Sequence, residues 1–153
     1  MNSMLLRDIN EHDCKLIYDW ANEVGVRQYS LQSQDIPWNS HTAWFKNKIS
    51  DPNCKMFVLE ENGLPIGQIR FERDGDNNWL LGYSIDARFR GKGFGKLLLK
   101  LGLEEMDKDQ HSKVVAYVKP DNLASIRVFK SLGFQEAGIV EVKSIKVEKY
   151  VHG

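Results

Sequence analysis

Seven residues, Arg90-Gly91-Lys92-Gly93-Phe94-Gly95-Lys96, put three glycines and three cations into one short turn. An apolar run, Trp79-Leu80-Leu81-Gly82-Tyr83-Ser84-Ile85, precedes the turn and reads as a strand. Leu97-Leu98-Leu99-Lys100-Leu101 follows it and reads as a helix. The first N–H groups of a helix have no intrahelical partners, and the helix dipole adds about half a positive charge there. Glycines let such a backbone approach a ligand closely. The chemistry implied is anion binding, most naturally of a phosphate or diphosphate.

Spacing excludes two common phosphate loops. A P-loop carries Ser or Thr after its lysine, whereas Leu97 follows Lys96. A dinucleotide fingerprint runs G-x-G-x-x-G, whereas these glycines run G-x-G-x-G. The pattern present is Arg90-x-x-Gly93-x-Gly95. It resembles the coenzyme A pyrophosphate loop of the GNAT superfamily of N-acetyltransferases.

The elements that must position this turn follow from periodicity. Residues 4–9 read as a strand, and Asn10 with Asp13 as a capping pair. Ile17, Trp20, Ala21 and Val24 form a helical stripe that Gly25 stops. Residues 25–39 read as a polar loop, and Ser40 caps a second helix with Trp44, Phe45 and Ile49 inward. Strands are expected at 56–59, 65–73 and 79–85, with turns at 61–63 and 74–78. On the middle strand Ile69 and Phe71 share one face, and Gln68, Arg70 and Glu72 the other. Phe94, Leu97, Leu98 and Leu101 stripe a helix to about Lys108. A strand at 114–118 ends at Pro120, and Asp121 or Asn122 caps a helix bearing Ile126, Phe129 and Leu132. Gly133 closes that helix, and strands at 134–142 and 145–151 complete the chain. The order β-α-α-β-β-β-α-β-α-β-β predicts an α/β fold. Its mixed sheet is mostly antiparallel, with one parallel crossover pair and about four flanking helices.

Composition bounds the partners. The 153 residues suit one domain, and 42% hydrophobic content can build a core. Charge is balanced, 21 against 21, so no broad nucleic-acid or membrane-surface footprint is expected. Cys14 and Cys54 form no metal spacing, and the four histidines are scattered, so no metal is expected. No apolar run nears the ~18 residues of a membrane span, and no signal-peptide pattern opens the chain. A cytoplasmic monomer or homodimer is the expectation.

The element order, with the loop where it stands, resembles the GNAT superfamily over nearly the whole chain. A second motif agrees: Asn122-Leu123-Ala124-Ser125, Phe129, then Leu132-Gly133-Phe134. The resemblance implies acetyl-CoA as cofactor, with contacts from Arg90, Gly91, Lys92, Gly93, Phe94, Gly95 and Lys96. It also implies contacts from Asn122, Ser125 and Phe129, and pantetheine pairing along Tyr83, Ser84 and Ile85. Arg88 reads equally as a surface residue. A finer resemblance rests on Trp38, His41, Trp44-Phe45, Asp51, Asn53-Cys54 and Ile66 to Phe71. It points to the nucleotide-amino-sugar N-acetyltransferases of nonulosonic acid synthesis. That implies a UDP-linked 4-amino dideoxy sugar as acceptor, met by Trp38, Gln68 and Arg70.

Two departures matter. Many relatives carry Tyr where Phe129 stands, to protonate the leaving thiolate, and Glu where Leu80 stands, as base. The remaining base candidates are Glu72, His41 and Asp74, and Tyr117 is a candidate proton donor. A surface charge and a packed aromatic are the plainer readings of Glu72 and Tyr117. Direct attack by the amine is expected, since neither cysteine has a nearby histidine. Deprotonating a lysine-like amine at pH 7 costs about 4.6 kcal/mol, and a sugar amine costs less. A thiolate leaving group of pKa about 8.5 departs with little acid help. Two other readings stay open: acetylation of a protein, polyamine or drug amine, and an acyl-CoA sensor without turnover.

Overall fold

A computed structural model describes residues 3–31, 34–73, 77–108 and 113–153. The strands are β1 (Met4–Asp8), β2 (Cys54–Glu61), β3 (Leu64–Arg73), β4 (Asn78–Ile85), β5 (Lys113–Val118), β6 (Gln135–Val142) and β7 (Ile145–His152). They form one sheet in the order β1-β2-β3-β4-β5-β7-β6. The helices are α1 (Cys14–Ala21), α2 (Val24–Tyr29), α3 (Trp38–Ile49), α4 (Phe94–Asp107) and α5 (Leu123–Ser131). All strand pairs are antiparallel except β4 with β5.

That parallel pair is short. Asn78, Trp79 and Leu80 pair with Lys113, Val114 and Val115, and the pairing stops there. Beyond it β4 stays with β3 as far as Ile85, and β5 stays with β7 as far as Val118. The two strands therefore part, and a split opens at their C-terminal ends.

Two cores hold the sheet from its two faces. On one, Ile69, Phe71, Leu81, Leu98, Leu99, Leu103 and Phe129 pack under α4 and α5. On the other, a smaller cluster joins Ile17, Trp20 and Phe45 to Met56 and Val58. The alternation of β3 explains the division: Ile69 and Phe71 are fully buried, while Gln68, Arg70 and Glu72 face the α1 and α3 side half-buried. By the same alternation Gly82 and Ser84 of β4, and Val115 and Tyr117 of β5, share that second face.

Four local expectations need correction. Gly25 does not stop α1, which ends at Ala21, and Gly25 lies inside α2. Glu23 starts α2 by accepting a hydrogen bond from Val26 N, which turns Val24 outward. The second helix begins at Trp38 rather than after Ser40, because extended Pro37 fits a helix entry. Ile49 points outward. The stripe of α4 is rotated by about one position: Leu98, Leu99, Gly102, Leu103 and Met106 face the core. Gly102 sets that rotation, since a Cβ there would stand 2.8 Å from Ile69 Cδ1. The asparagine cap forms as expected, with Asn10 and Asp13 bonding reciprocally. The expected turn at 74–78 lies mostly outside the described residues, as does Asp74.

The end of β4 is fastened to α1. Trp20 Nε1 donates to Asp86 Oδ2 at 2.9 Å, and Arg88 binds the same carboxylate at 3.1 Å. Arg88 first, then Trp20, outweigh burial and hold the Asp86 carboxyl at about 2 rather than 3.8. A carboxylate so depressed stabilises the fold above its unfolded value and loses that contribution as pH falls toward the folded one. Asp86→Asn should cost about 1 kcal/mol at pH 7, a figure reduced for the exposure of Arg88. The difference should shrink between about pH 4 and pH 2. Urea melts at both ends of that range check it, and a gap independent of pH would contradict it. Gly67 sits under the same strand, where an added Cβ would lie 2.6 Å from the Ser84 carbonyl oxygen. Backbone cannot yield cheaply, so Gly67→Ala should cost about 1–3 kcal/mol. A lowered urea midpoint at unchanged slope is the expected readout, and an unchanged midpoint would count against the packing.

Candidate active site

The glycine-rich turn lies where β4 ends and α4 begins. Gly91 and Gly93 have φ of 75° and 83°, a region that side chains with a Cβ rarely enter. Gly93 is the N-cap of α4, and among the described residues no side chain caps this 14-residue helix. Its first-turn N–H groups stand ready for an external acceptor. Phe94 is half-buried, edge-on to Phe89 at 6.2 Å, and so anchors the turn rather than extending from it. Gly95 passes beside the Tyr83 ring, which an added Cβ would meet in ordinary contact at 3.6 Å.

The cations of the loop are not equivalent. Arg88 is paired with Asp86. Arg90 was expected to face an anion, but its Nη2 donates to Glu23 Oε2 at 2.6 Å and its Nε to the Ile85 carbonyl at 3.0 Å. The Ile85 carbonyl is thereby already engaged, while Asp86 N donates to the Ile66 carbonyl; backbone alternation then turns Ser84 toward β3 and leaves Tyr83 on the open edge. Lys92 lies 5.9 Å from the Phe89 ring, and Lys96 is exposed on the first turn of α4. Among the described residues those two lysines form no ion pair and carry the uncommitted charge of the turn.

Under the split, Tyr83 and α5 meet. The Tyr83 hydroxyl and Ser125 Oγ are 2.8 Å apart, and burial raises the pKa of this phenol. Ser125 N donates to Asn122 Oδ1 at 3.3 Å, so Asn122 serves first as the cap of α5 and keeps its amide N–H groups for another partner. Phe129 is 3% exposed, with ring centroids of Phe134 and Tyr150 at 5.1 and 5.7 Å. It is a core residue, and its expected cofactor contact is withdrawn.

The other face of the split carries the polar groups. Gln68 Nε2 donates to Ser84 Oγ at 3.1 Å. Gln68 Oε1 is buried and has no hydrogen-bond partner among the described residues. Arg70 lies 5.1 Å over the Trp44 ring and binds Glu72 Oε1 at 2.6 Å, while Lys48 binds Glu72 Oε2 at 3.1 Å. Both carboxylate oxygens are therefore committed, which removes Glu72 as a free base. His41 is 2% exposed, enclosed by Tyr18, Trp38, Trp44 and Phe45. Its Nε2 lies 2.9 Å from the Cys14 carbonyl, and burial lowers its pKa. It packs α3 onto α1 and is withdrawn as a catalytic residue. Trp38 stacks on that histidine and stays 43% exposed, held edge-on by Tyr18 at 4.9 Å. Tyr117 stands half-buried on β5, past the last residue that pairs with β4.

Sequence reasoning missed three participants. Arg27 on α2 is lowered in pKa by burial first, with nearby Arg70 adding and Asp35 opposing. Glu23 and Lys119 reach the site from elements that carried no motif, although the isolated Gly25 was a signal of close passage. Cys54 was set aside as a nucleophile, and burial first, then Glu72, push its thiol up to about 11.

Comparison with known proteins follows this geometry. The model of the acetyltransferase (GNAT) domain family matches residues 3–135. An uncharacterised protein of Methanocaldococcus jannaschii is 23% identical over 138 residues, 88% of this chain but 28% of its own length. The uncharacterised N-acetyltransferase YnaD of Bacillus subtilis is 23% identical over 88% of this chain and 81% of its own. The acetyltransferase PseH of Campylobacter jejuni is 26% identical over 83% and 80%. Among solved structures, spermidine N-acetyltransferase from Vibrio cholerae, in complex with CoA and spermine, superposes with TM-score 0.86 at 18% identity, covering 97% of this chain and 94% of that one. Aminoglycoside acetyltransferase AAC(6')-Ib, in complex with coenzyme A, gives 0.83 at 19%, covering 98% and 94%. Fold order, loop and family model coincide over most of the chain: it belongs to the GNAT family and carries an acetyltransferase domain.

Proposed function

We propose that the protein moves an acetyl group from acetyl-CoA to the primary amine of a neutral or anionic acceptor, by direct attack. The favoured acceptor is the 4-amino group of a UDP-linked dideoxy sugar. The observation that carries the donor half is the parting of β4 from β5 beside an uncapped, glycine-rich helix start. The amides of residues 91–96 would grip the diphosphate, with Lys92 and Lys96 adding solvent-screened charge. The pantetheine would run along Tyr83 and Ser84, and an N–H on that edge would face the developing oxyanion.

Charge carries the acceptor half. Arg70 and Lys48 flank the acceptor face, and Glu72 is spent on both. A polycation would meet repulsion there, whereas a sugar diphosphate would meet complementary charge. The unpartnered Gln68 Oε1 offers an acceptor for a donor N–H or O–H of the incoming sugar, and leaving it unpaired costs about 1–3 kcal/mol. Exposed Trp38 offers a flat face at the rim. A sugar amine of lowered basicity passes its proton to water, and the half-buried thiol of Cys54, its pKa pushed up to about 11, takes no part. Tyr117, on the β5 side of the split, would return a proton to the leaving thiolate.

A panel of amines with acetyl-CoA, read by free thiol, tests the acceptor. Turnover of UDP-4-amino sugars above spermidine and aminoglycosides by at least tenfold in kcat/KM is expected; the reverse order would contradict the charge argument, and no turnover would favour an acyl-CoA sensor. Gly93→Asp, run alongside by calorimetry, should abolish acetyl-CoA binding. Tyr117→Phe should lower kcat by about tenfold to a hundredfold at unchanged acetyl-CoA affinity. An unaltered kcat would remove Tyr117 from the reaction.

A further inference from the structure

The helix α2 has no buried residue, yet it is held at both ends by long-range contacts. At its start, Glu23 Oε2 takes a hydrogen bond from Arg90 Nη2 at 2.6 Å, 67 residues away. The same carboxylate oxygen accepts from Val26 N at 3.2 Å, so one group caps the helix and ties it to the end of β4. Arg90 lowers the pKa of Glu23, outweighing its burial, and Gly25 makes room for the guanidinium, since a Cβ there would stand 2.7 Å from Arg90 Nη1. At the far end of α2, Lys119 Nζ donates to the Gln28 carbonyl at 3.0 Å, 91 residues away. Lys119 is the residue that follows the last residue of β5.

The two anchor points are the two rims of the split. Arg90 follows β4 and Lys119 follows β5, and these strands have stopped pairing at Leu80 and Val115. Paired strands stand about 4.8 Å apart. Five helical rises, from Glu23 to Gln28, span about 7.5 Å. With the two long side chains added at its ends, such a bridge spans more than the spacing of a paired strand.

We infer that α2 is a strap fastened across the open end of the split, with Arg90 and Lys119 as positioning residues that hold it at the two rims. Arg90 thereby leaves the diphosphate to backbone amides and lysines. The strap sets the separation of the two arms between which the donor is proposed to lie. In that consequence it rests on the donor reading; in its geometry it does not.

Hydrogen exchange of the amides of residues 24–30 on the millisecond scale, in the full chain, tests the fastening. Glu23→Gln and Arg90→Gln should each speed exchange at least fivefold, and the double variant should do no more than either alone. Lys119→Gln should add a separate acceleration at residues 28–30. The conservative variant Arg90→Lys, which leaves the Glu23 cap on Val26 N in place, should keep part of the protection that Arg90→Gln loses, which a loss of fold would not allow. Any loss of acetyl-CoA affinity, measured by calorimetry, should be alike in Glu23→Gln and Arg90→Gln, since both release the same tie. Unchanged exchange in both single variants would overturn the strap. So would a tenfold loss of acetyl-CoA affinity in Arg90→Gln with α2 still protected, which would make Arg90 a phosphate ligand. A parent protein that binds no acetyl-CoA would defeat the donor reading alone, and the exchange arm would still decide the strap.

Discussion

Three parallel pairs and then none: the early parting of β4 from β5 is the constraint on which the site depends. A strand that leaves its neighbour exposes a row of N–H and C=O groups. Each costs about 1–3 kcal/mol if it is buried without a partner. The chain satisfies part of that edge itself, with Arg90 on the Ile85 carbonyl. The remainder, at Tyr83, is the edge along which the proposed pantetheine would pair. The same parting puts the hydroxyls of Tyr83 and Ser125 below the split and the Gln68–Ser84 pair above it.

Charge near the glycine turn follows a second economy. Two of the four cations between Arg88 and Lys96 are held by carboxylates that also fasten helices of the other face. Asp86 holds Arg88 and Trp20, and Glu23 holds Arg90 and caps α2. The turn therefore depends on oriented amides more than on side-chain charge. Amides are fixed by the fold and need no ordering on binding, whereas an exposed lysine gives up side-chain entropy and is screened by salt. On the opposite face the pattern inverts: two cations, Lys48 and Arg70, share the one carboxylate of Glu72.

Most of the fold was legible because its signals are local. Alternation on β3, the glycine turn, Pro120 and the capped start of α5 each name their own element. The α2 helix was not legible, since a six-residue helix with no buried face leaves no periodic stripe. The rotation of α4 was missed because Gly102 counts as neither apolar nor polar in a pattern, yet it faces Ile69. The site was half legible. The glycine turn announces itself by composition, but which cations remain free depends on contacts 67 residues apart in sequence, as Arg90 and Glu23 show. His41 read as chemistry and proved to be packing, because residue type does not encode enclosure by four rings. Phe129 failed the same way, its motif position being occupied by a side chain suited only to the core.

The central claim is that main-chain groups at the start of α4 and along the freed edge of β4 hold the acetyl donor. Amide chemical shifts of the isotope-labelled protein, followed as acetyl-CoA is added, address it directly. The largest perturbations should fall on Gly91 to Lys96 and on Tyr83 and Ser84. Perturbations confined to other surfaces, or none at saturating acetyl-CoA, would contradict it.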